Sequence, residues 1–498
     1  VVYGDYDVDG ISGTALLLQC LRLLGIEADY YIPERLEEGY GLNVEAVGKL
    51  KAAGANLIVT TDCGISALDE AKAARNAGMD LIISDHHEPG PELPQAFAVI
   101  NPKTAGNPYP FKDLSGVGVA FKLAWGIAQS FSGAKKVSAE FRDFLVNAVS
   151  LVALGTVADV VPLTGENRIF ATFGLGAIQA ATSPGLRALI DVAGLADSEI
   201  KPGHIAFRIG PRLNAAGRLG SARLAVELLT TDSGDRARQI AKQLDDENRK
   251  RQEIEARILA EATEKVHKEV TLDSTHAIVL AAEEWHAGVI GIVASKIVDE
   301  FYRPAVLIAL DGDLGHGSAR SIPPFHLFNG LSACSERLIA FGGHAQAAGL
   351  RIARNEVPAF RESLNAVAAQ MLSKDDLIPE MQIDAEVMLA QLSAALVHEL
   401  ERLAPCGQGN PSPVLAATEL KVAGKPQLVG RKGQHLSFYV RQATTSLKAI
   451  AFGMGDSYAA LPKDGRTVAL AFAPKINTWG GRESVELEVK DIKVEAPA

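Results

Sequence analysis

Four short stretches of this chain concentrate carboxylates and imidazoles: Asp5-Tyr6-Asp7-Val8-Asp9-Gly10, Thr60-Thr61-Asp62-Cys63-Gly64, Ser84-Asp85-His86-His87 and Ala158-Asp159-Val160-Val161. Each follows or flanks an apolar run, respectively Val1-Val2-Tyr3, Leu57-Ile58-Val59, Leu81-Ile82-Ile83 and Leu151-Val152-Ala153-Leu154. Short apolar runs bounded by Gly and Asp read as buried parallel strands. Ligands of an open α/β sheet gather beyond the carboxyl ends of its strands, so acids at four such ends converge on one place. One Asp after a strand is an ordinary turn residue or helix N-cap, but turn chemistry does not demand acids at all four. Carboxylates with imidazole and no thiolate suit Mn²⁺ or Mg²⁺ better than a structural zinc. Two such ions about 3.5–4 Å apart can activate a water, neutralise phosphoryl charge and let an alkoxide leave. That is the chemistry of phosphodiester hydrolysis.

The elements that must position these residues alternate strand and helix up to Asp85, a doubly wound α/β pattern. A helix is predicted over 12–24, closed by Gly25, and a strand at Tyr30-Tyr31-Ile32. The Gly-rich loop after it carries Arg35, which by itself reads as a surface ion-pair residue. Ser115-Gly116-Val117-Gly118 opens a helix through Trp125, and an apolar helix over 141–154 delivers Asp159. From Asp232 to about Lys268, apolar residues at 240, 241, 244, 254, 258 and 262 recur at helical spacing without Pro or Gly after Gly234. They predict one long inter-domain helix. A second α/β domain follows, with strands at 277–280 and 305–308. Leu314 to Ser321 reads as a polar, turn-rich loop, in which the Ser318 and Ser321 hydroxyls and the Arg320 fork could cradle a phosphate. Arg218 is a further phosphate-clamp candidate, with Arg212 and Arg223 as nearby competitors. Past residue 381, five short alternating segments suit a small barrel of OB type.

A chain of 498 residues is too long for one core, and about three domains are expected. No apolar run reaches membrane-spanning length and no signal peptide is evident, so no membrane partner is expected. The four cysteines contain no Cys-x-x-Cys pair, which disfavours disulfides and zinc and fits a reducing, cytoplasmic setting. A net charge of −11 disfavours a generic polyanion binder, but catalytic carboxylates account for part of it, and a nuclease stays open. The chain begins with Val inside the first strand and not with Met, which reads as a trimmed or partial sequence.

The four acidic motifs recur with Gly210-Pro211-Arg212-Leu213-Asn214-Ala215-Ala216-Gly217-Arg218-Leu219, Gly317-Ser318-Ala319-Arg320-Ser321 and Phe341-Gly342-Gly343-His344. In this order, over nearly the whole chain, they resemble the DHH phosphoesterase family, and within it the single-strand-specific 5′→3′ DNA exonucleases of recombination and repair. The resemblance implies a DHH catalytic domain over 1–231, a connecting helix over 232–269, a DHHA1 domain over 270–375 and an OB-fold nucleic-acid-binding domain over 376–498. It implies two divalent ions, Mn²⁺ or Mg²⁺, held by Asp7, Asp9, Asp62, His86 and Asp159. Asp62 is suited to bridge them and Asp5 to act as a ligand or orienting group. His87 would touch the scissile phosphate, with Asp85 orienting its neighbours. Arg35, Arg218, Ser318, Arg320, Ser321 and His344 would hold single-stranded DNA. A monomer is expected, with single-stranded DNA-binding protein and a RecQ-type helicase as partners. The rival readings are a DHH phosphodiesterase for short oligoribonucleotides or cyclic dinucleotides, which is usually shorter, and an inactive DHH-like replication scaffold, which loses metal ligands that this chain keeps.

Overall fold

The computed structural model describes residues 1–34, 38–133, 136–219, 221–462, 466–479 and 481–495, so Arg35 lies outside the described residues. The chain divides into two compact units, Val1–Val161 with Gly165–Pro379, and Pro162–Thr164 with Glu380–Ala498.

The first unit opens with a parallel sheet of β1 (Val2–Gly4), β2 (Tyr30–Tyr31), β3 (Leu57–Thr61), β4 (Asp80–Ser84) and β5 (Ala98–Ile100), in the order β2-β1-β3-β4-β5. The order reverses direction between β1 and β3, and ligands collect at such a switch point because the flanking loops diverge there. Helices α1 (Val8–Leu23), α2 (Val44–Ala52) and α3 (Leu68–Asn76) connect the strands. Tyr3, Ile58, Ile83, Val47 and Ala71 join in one buried cluster, which explains the apolar strands.

A helical layer follows: α4 (Gly116–Ser132), α5 (Ala139–Ala158), α6 (Gly165–Gln179) and α7 (Pro184–Val192). Then α8 (Pro202–His204) runs through a π-helical turn (Ile205–Ile209) into α9 (Gly210–Leu219), followed by α10 (Arg223–Thr230). Of the two readings of Leu151-Val152-Ala153-Leu154, the strand fails and the helix over 141–154 holds: the run is the buried middle of α5, packed against α1, α4 and α6, and Asp159 is the helix C-cap. A helix enclosed on several sides loses its polar face, and a short window then reads like a buried strand. By length and composition α5 could also cross a membrane, but it spends its apolar surface inside this core.

The long helix is α11 (Gly234–Glu269), N-capped by the Ser233 hydroxyl. Its first half buries Ala237, Ile240, Ala241 and Leu244, and Ile258, Ala262 and Val266 of its second half enter the core of the second sheet. That sheet comprises β6 (Ile278–Ala282), β7 (Ala305–Asp311), β8 (Leu314–Arg320), β9 (Ala340–Gly343) and β10 (Ala347–Ala353), ordered β6-β7-β8-β10-β9. Helices α12 (Ile290–Phe301), α13 (Leu327–Ser332) and α14 (Val357–Met371) accompany it. The polar loop predicted at Leu314–Ser321 is a second correction, because Leu314–Arg320 is the strand at the centre of the sheet, antiparallel to both β7 and β10. Its glycines are there for packing. A Cβ on Gly315 would stand 2.7 Å from Ile308 and one on Gly317 2.5 Å from Leu350.

The second unit is a six-stranded sheet of β11 (Ala385–Glu386), β12 (Leu415–Val429), β13 (His435–Gln442), β14 (Thr445–Ala451), β15 (Val468–Trp479) and β16 (Arg482–Val494). The order β11-β12-β13-β14-β16-β15 closes through pairing of β12 with β15, as in an OB barrel, around Leu420, Phe438, Leu470, Phe472 and Leu487. The barrel is accompanied by α15 (Ala394–Glu401).

Candidate active site

The loops after β1, β3 and β4 and the end of α5 bring the acidic residues together. Asp7 is the N-cap of α1, and its Oδ1 accepts the N–H groups of Asp9 (2.9 Å) and Gly10 (3.1 Å). Asp9, in the first turn, reaches the N-terminus of α4, where its carboxylate accepts from Gly116 N (2.6 Å) and Val117 N (2.9 Å). A helix N-terminus favours an anion there. Asp62 adopts φ 66°, a costly conformation for a residue with a side chain and one that clusters at functional sites. Close approach of backbone is built in, since a Cβ on Gly116 would lie 2.5 Å from Asp62 Oδ1 and one on Gly155 2.5 Å from Asp9 Oδ1.

His86 Nε2 stands 3.1 Å from Asp62 Oδ1, 3.6 Å from Asp159 Oδ2 and 3.9 Å from Asp9 Oδ2. Three overlapping sets each present ligand atoms within 4.8 Å of one another: Asp5, Asp7 and Asp62; Asp62, His86 and His87; Asp9, His86 and Asp159. Asp62 and His86 are each shared by two sets. Burial, and then repulsion from Asp9 and Asp7, pushes the Asp62 and Asp159 carboxyls well above the usual range; burial and Asp7 lift Asp9 to about 7. Burial, then the neighbouring His87, pulls His86 down to about 3, so its imidazole is neutral and a lone pair is available. Asp62 Oδ1 and His86 Nε2 are buried without a hydrogen-bond partner. A buried polar atom left so carries a desolvation cost that a coordinated cation offsets. Oxygen and imidazole donors alone fit Mn²⁺ or Mg²⁺.

Asp85 does not belong to these sets. Its carboxylate accepts from Ile65 N (2.9 Å), His86 N (2.7 Å) and His87 N (3.1 Å), and Oδ1 lies 2.7 Å from His87 Nδ1. It folds the loop and orients His87, whose side chain is 43% exposed. Burial lowers the His87 pKa, but the Asp85 bond and the negative charges of Asp85, Asp7 and Asp9 together outweigh it and the net shift is upward. Tyr40, which the sequence reading passed over, places its hydroxyl 3.2 Å from His87 Nδ1 and donates to the Asp62 carbonyl at 3.2 Å. Its one signal was an aromatic residue between two glycines.

On the second sheet, Arg320 Nη1 donates to Ala319 O (2.8 Å) and to Ser318 Oγ (3.3 Å), so these two side chains share one strand end. His344 has its pKa lowered by burial, then by the charges of Arg320 and His87. Ser321 Oγ donates to Phe325 O at 2.7 Å and closes a turn. Arg218 Nη1 donates to Gly288 O at 3.0 Å. The competing arginines are engaged elsewhere: Arg212 pairs with Asp245 at 2.8 Å, and Arg223 lies over the Tyr30 ring. In the barrel, Lys421, Lys425, Arg441 and Arg466 line a pocket of 590 Å³ with Tyr458 and Leu461.

Three family models match: the DHH family N-terminal domain over residues 1–156, the DHHA1 domain over 274–370 and the RecJ OB domain over 383–491. The single-stranded-DNA-specific exonuclease RecJ of Bacillus subtilis is 39% identical over 99% of this chain, and the chain spans 61% of that protein's length. RecJ of Haemophilus influenzae is 35% identical over 99% of this chain and 87% of its own length. The crystal structure of Thermus thermophilus RecJ in complex with Mn²⁺ superposes with a TM-score of 0.83 at 31% identity, covering 100% of this chain and 69% of that one. Its Mg²⁺ complex gives 0.77 at 30% identity, covering 100% of this chain and 67% of that one. With three domain models in register and more than a third of its residues identical over the full length of the chain, the protein belongs to the RecJ exonucleases of the DHH phosphoesterase family.

Proposed function

We propose that this chain is a metal-dependent exonuclease that hydrolyses single-stranded DNA from its 5′ end. The observation that carries the reading is the cluster of buried Asp9, Asp62 and His86 with half-buried Asp159, in which carboxylates repel one another and two ligand atoms lack a partner. Such a cluster is stable as a fold feature when cations neutralise it. Asp7, Asp9, Asp62, His86 and Asp159 would hold two divalent ions, with Asp62 shared between them and Asp5 a further ligand through its set with Asp7 and Asp62. The ions supply an activated water and neutralise charge on the phosphoryl oxygens. The protein's own part is orientation. Asp85 fixes the His87 ring through Nδ1, so that its other N–H can donate to a nonbridging oxygen of the scissile phosphate, and the Tyr40 hydroxyl lies against the same ring. Ser318 and Arg320, with His344 near them, would bind the terminal 5′ phosphate and set the distance from chain end to cut. Ser321, spent on its turn, supports that strand end. Arg218 acts there as a tie between helix and second sheet. The barrel would track the strand through its cationic pocket.

End-labelled single-stranded DNA and RNA of equal length, incubated with Mn²⁺, Mg²⁺ or chelator, test this reading. Mononucleotide release from the 5′ end of DNA, dependent on metal, is expected. Cleavage confined to RNA, or unaffected by chelator, overturns it. The family also implies single-stranded DNA-binding protein and a RecQ-type helicase as partners, which co-sedimentation with the purified proteins checks.

A further inference from the structure

After its N-cap Asp7, the first turn of α1 presents three backbone N–H groups, those of Val8, Asp9 and Gly10, that have no intrahelical carbonyl to accept them. Asp7 Oδ1 takes those of Asp9 and Gly10, and the first helical bond runs from Ile11 N–H to the Asp7 carbonyl at 2.9 Å. The remaining one, Val8 N–H, is accepted by Asn214 Oδ1 at 3.1 Å, from a residue 206 positions away on α9. Val8 is 1% exposed, so water does not substitute for that acceptor. One turn further on, α9 meets the same loop again: a Cβ on Gly217 would stand 2.9 Å from Tyr6 O. The next residue, Arg218, bonds Gly288 O, and Gly288 approaches so closely that a Cβ there would lie 2.8 Å from Arg218 O. Gly288 leads into α12, where a Cβ on Gly291 would lie 2.8 Å from Ser318 Oγ. One ten-residue helix therefore touches the Asp5–Asp9 loop on one side and the segment that packs on Ser318 on the other.

We propose that Asn214 is a positioning residue for divalent-cation binding, acting through Asp7. The inference rests on the metal reading above. Asp7 has two oxygens, and its helix-capping role uses Oδ1, which leaves Oδ2 for a cation. If Val8 N–H loses its acceptor, the Asp7 carboxylate, which already accepts from Asp9 N and Gly10 N in the same turn, is drawn toward it, and a carboxylate drawn onto a third backbone N–H turns away from the cation. A neutral amide on a distant helix thereby keeps a ligand oriented. Groups that orient ligands from outside the coordination sphere typically contribute about 10- to 100-fold in metal affinity.

Calorimetric titration of Mn²⁺ into the chelator-treated, dialysed full chain tests the assignment without reference to turnover. Asn214→Ala is expected to weaken Mn²⁺ binding by at least about 10-fold, while Asn214→Asp, which keeps an acceptor oxygen at the same reach, binds as tightly as wild type or more so. Melting of each variant in chelator separates loss of fold from loss of affinity. If Asn214→Ala fails to fold, Asn214→Ser replaces it, because its shorter side chain falls short of Val8. Mn²⁺ affinity equal to wild type in whichever of these two variants folds overturns the proposal. A wild-type chain that binds no Mn²⁺ overturns the metal reading itself, a distinct outcome.

Discussion

Replacing Asp62 by Asn should abolish hydrolysis yet make the metal-stripped protein more stable. Asp62 is 2% exposed, its Oδ1 has no hydrogen-bond partner, and its ligand atom lies within 4.8 Å of those of Asp5 and Asp7. Two ionised carboxylates at 4.8 Å repel by about 3.5 kcal/mol at an effective dielectric constant of about 20. Asn removes that repulsion, keeps the shape that Gly116 packs against, and tolerates a positive φ better than most residues. A gain of roughly 3 kcal/mol corresponds to a melting-midpoint rise of about 3 °C for a chain of this size. The sign with pH follows from the raised carboxyls. Asp9, lifted to about 7, holds a proton in the native state at pH values where the unfolded chain has lost it, so stability rises as pH falls from about 7 toward about 4. The advantage of Asp62→Asn should accordingly be largest near pH 8 in chelator and shrink below pH 5. Mn²⁺ reverses the ranking, since a ligand at about 100 times its Kd adds about 2.7 kcal/mol to whichever protein binds it. Melts of both proteins at several pH values, with chelator or Mn²⁺, provide the comparison. An Asn variant that melts below wild type in chelator at pH 8 would refute the account of a cluster strained by like charge.

Asp85→Asn should slow turnover by about 100-fold through loss of His87 orientation, while Mn²⁺ affinity changes less, because Asp85 faces His87 and backbone N–H groups; equal losses in both measurements would place Asp85 among the ligands. Arg320→Ala should remove most of the preference for 5′-phosphorylated over 5′-hydroxyl ends, about 10- to 150-fold for a charge-assisted contact of about 1.5–3 kcal/mol. Initial rates on the two ends for the two enzymes decide it, and equal slowing on both ends would show that Arg320 grips an internal phosphate. In the barrel, Lys425→Ala with Arg441→Ala should weaken single-stranded DNA binding and reduce the slope of log Kobs against log salt by about 1.4, two contacts at about 0.7 each. An unchanged slope across a salt series would assign that pocket to something other than the DNA backbone.

The acidic motifs were legible because groups that converge at a sheet's switch point sit on the loops that leave the strands, and each loop is a few consecutive residues. Asp5 to Asp9, Asp62, and Asp85 to His87 could therefore be read from local pattern. The long helix was legible for a similar reason, as a repeat of apolar positions within one segment, and α11 starts two residues after its expected beginning. Asp159 was found by its motif, and the run before it read both as a strand and as a helix over 141–154; the helix holds, because that run is apolar through enclosure by three helices and not through strand pairing. Ser318 and Arg320 were assigned to a turn because Gly315 and Gly317 look like turn residues, whereas their missing side chains make room for Ile308 and Leu350 across a sheet. Nothing near Asn214 announces an acceptor for Val8, and nothing near Tyr40 announces His87, since each contact joins residues far apart in the chain. Chemistry carried by consecutive residues is written in the sequence itself. Orientation supplied by a group from elsewhere in the chain exists only once the backbone has brought the two together.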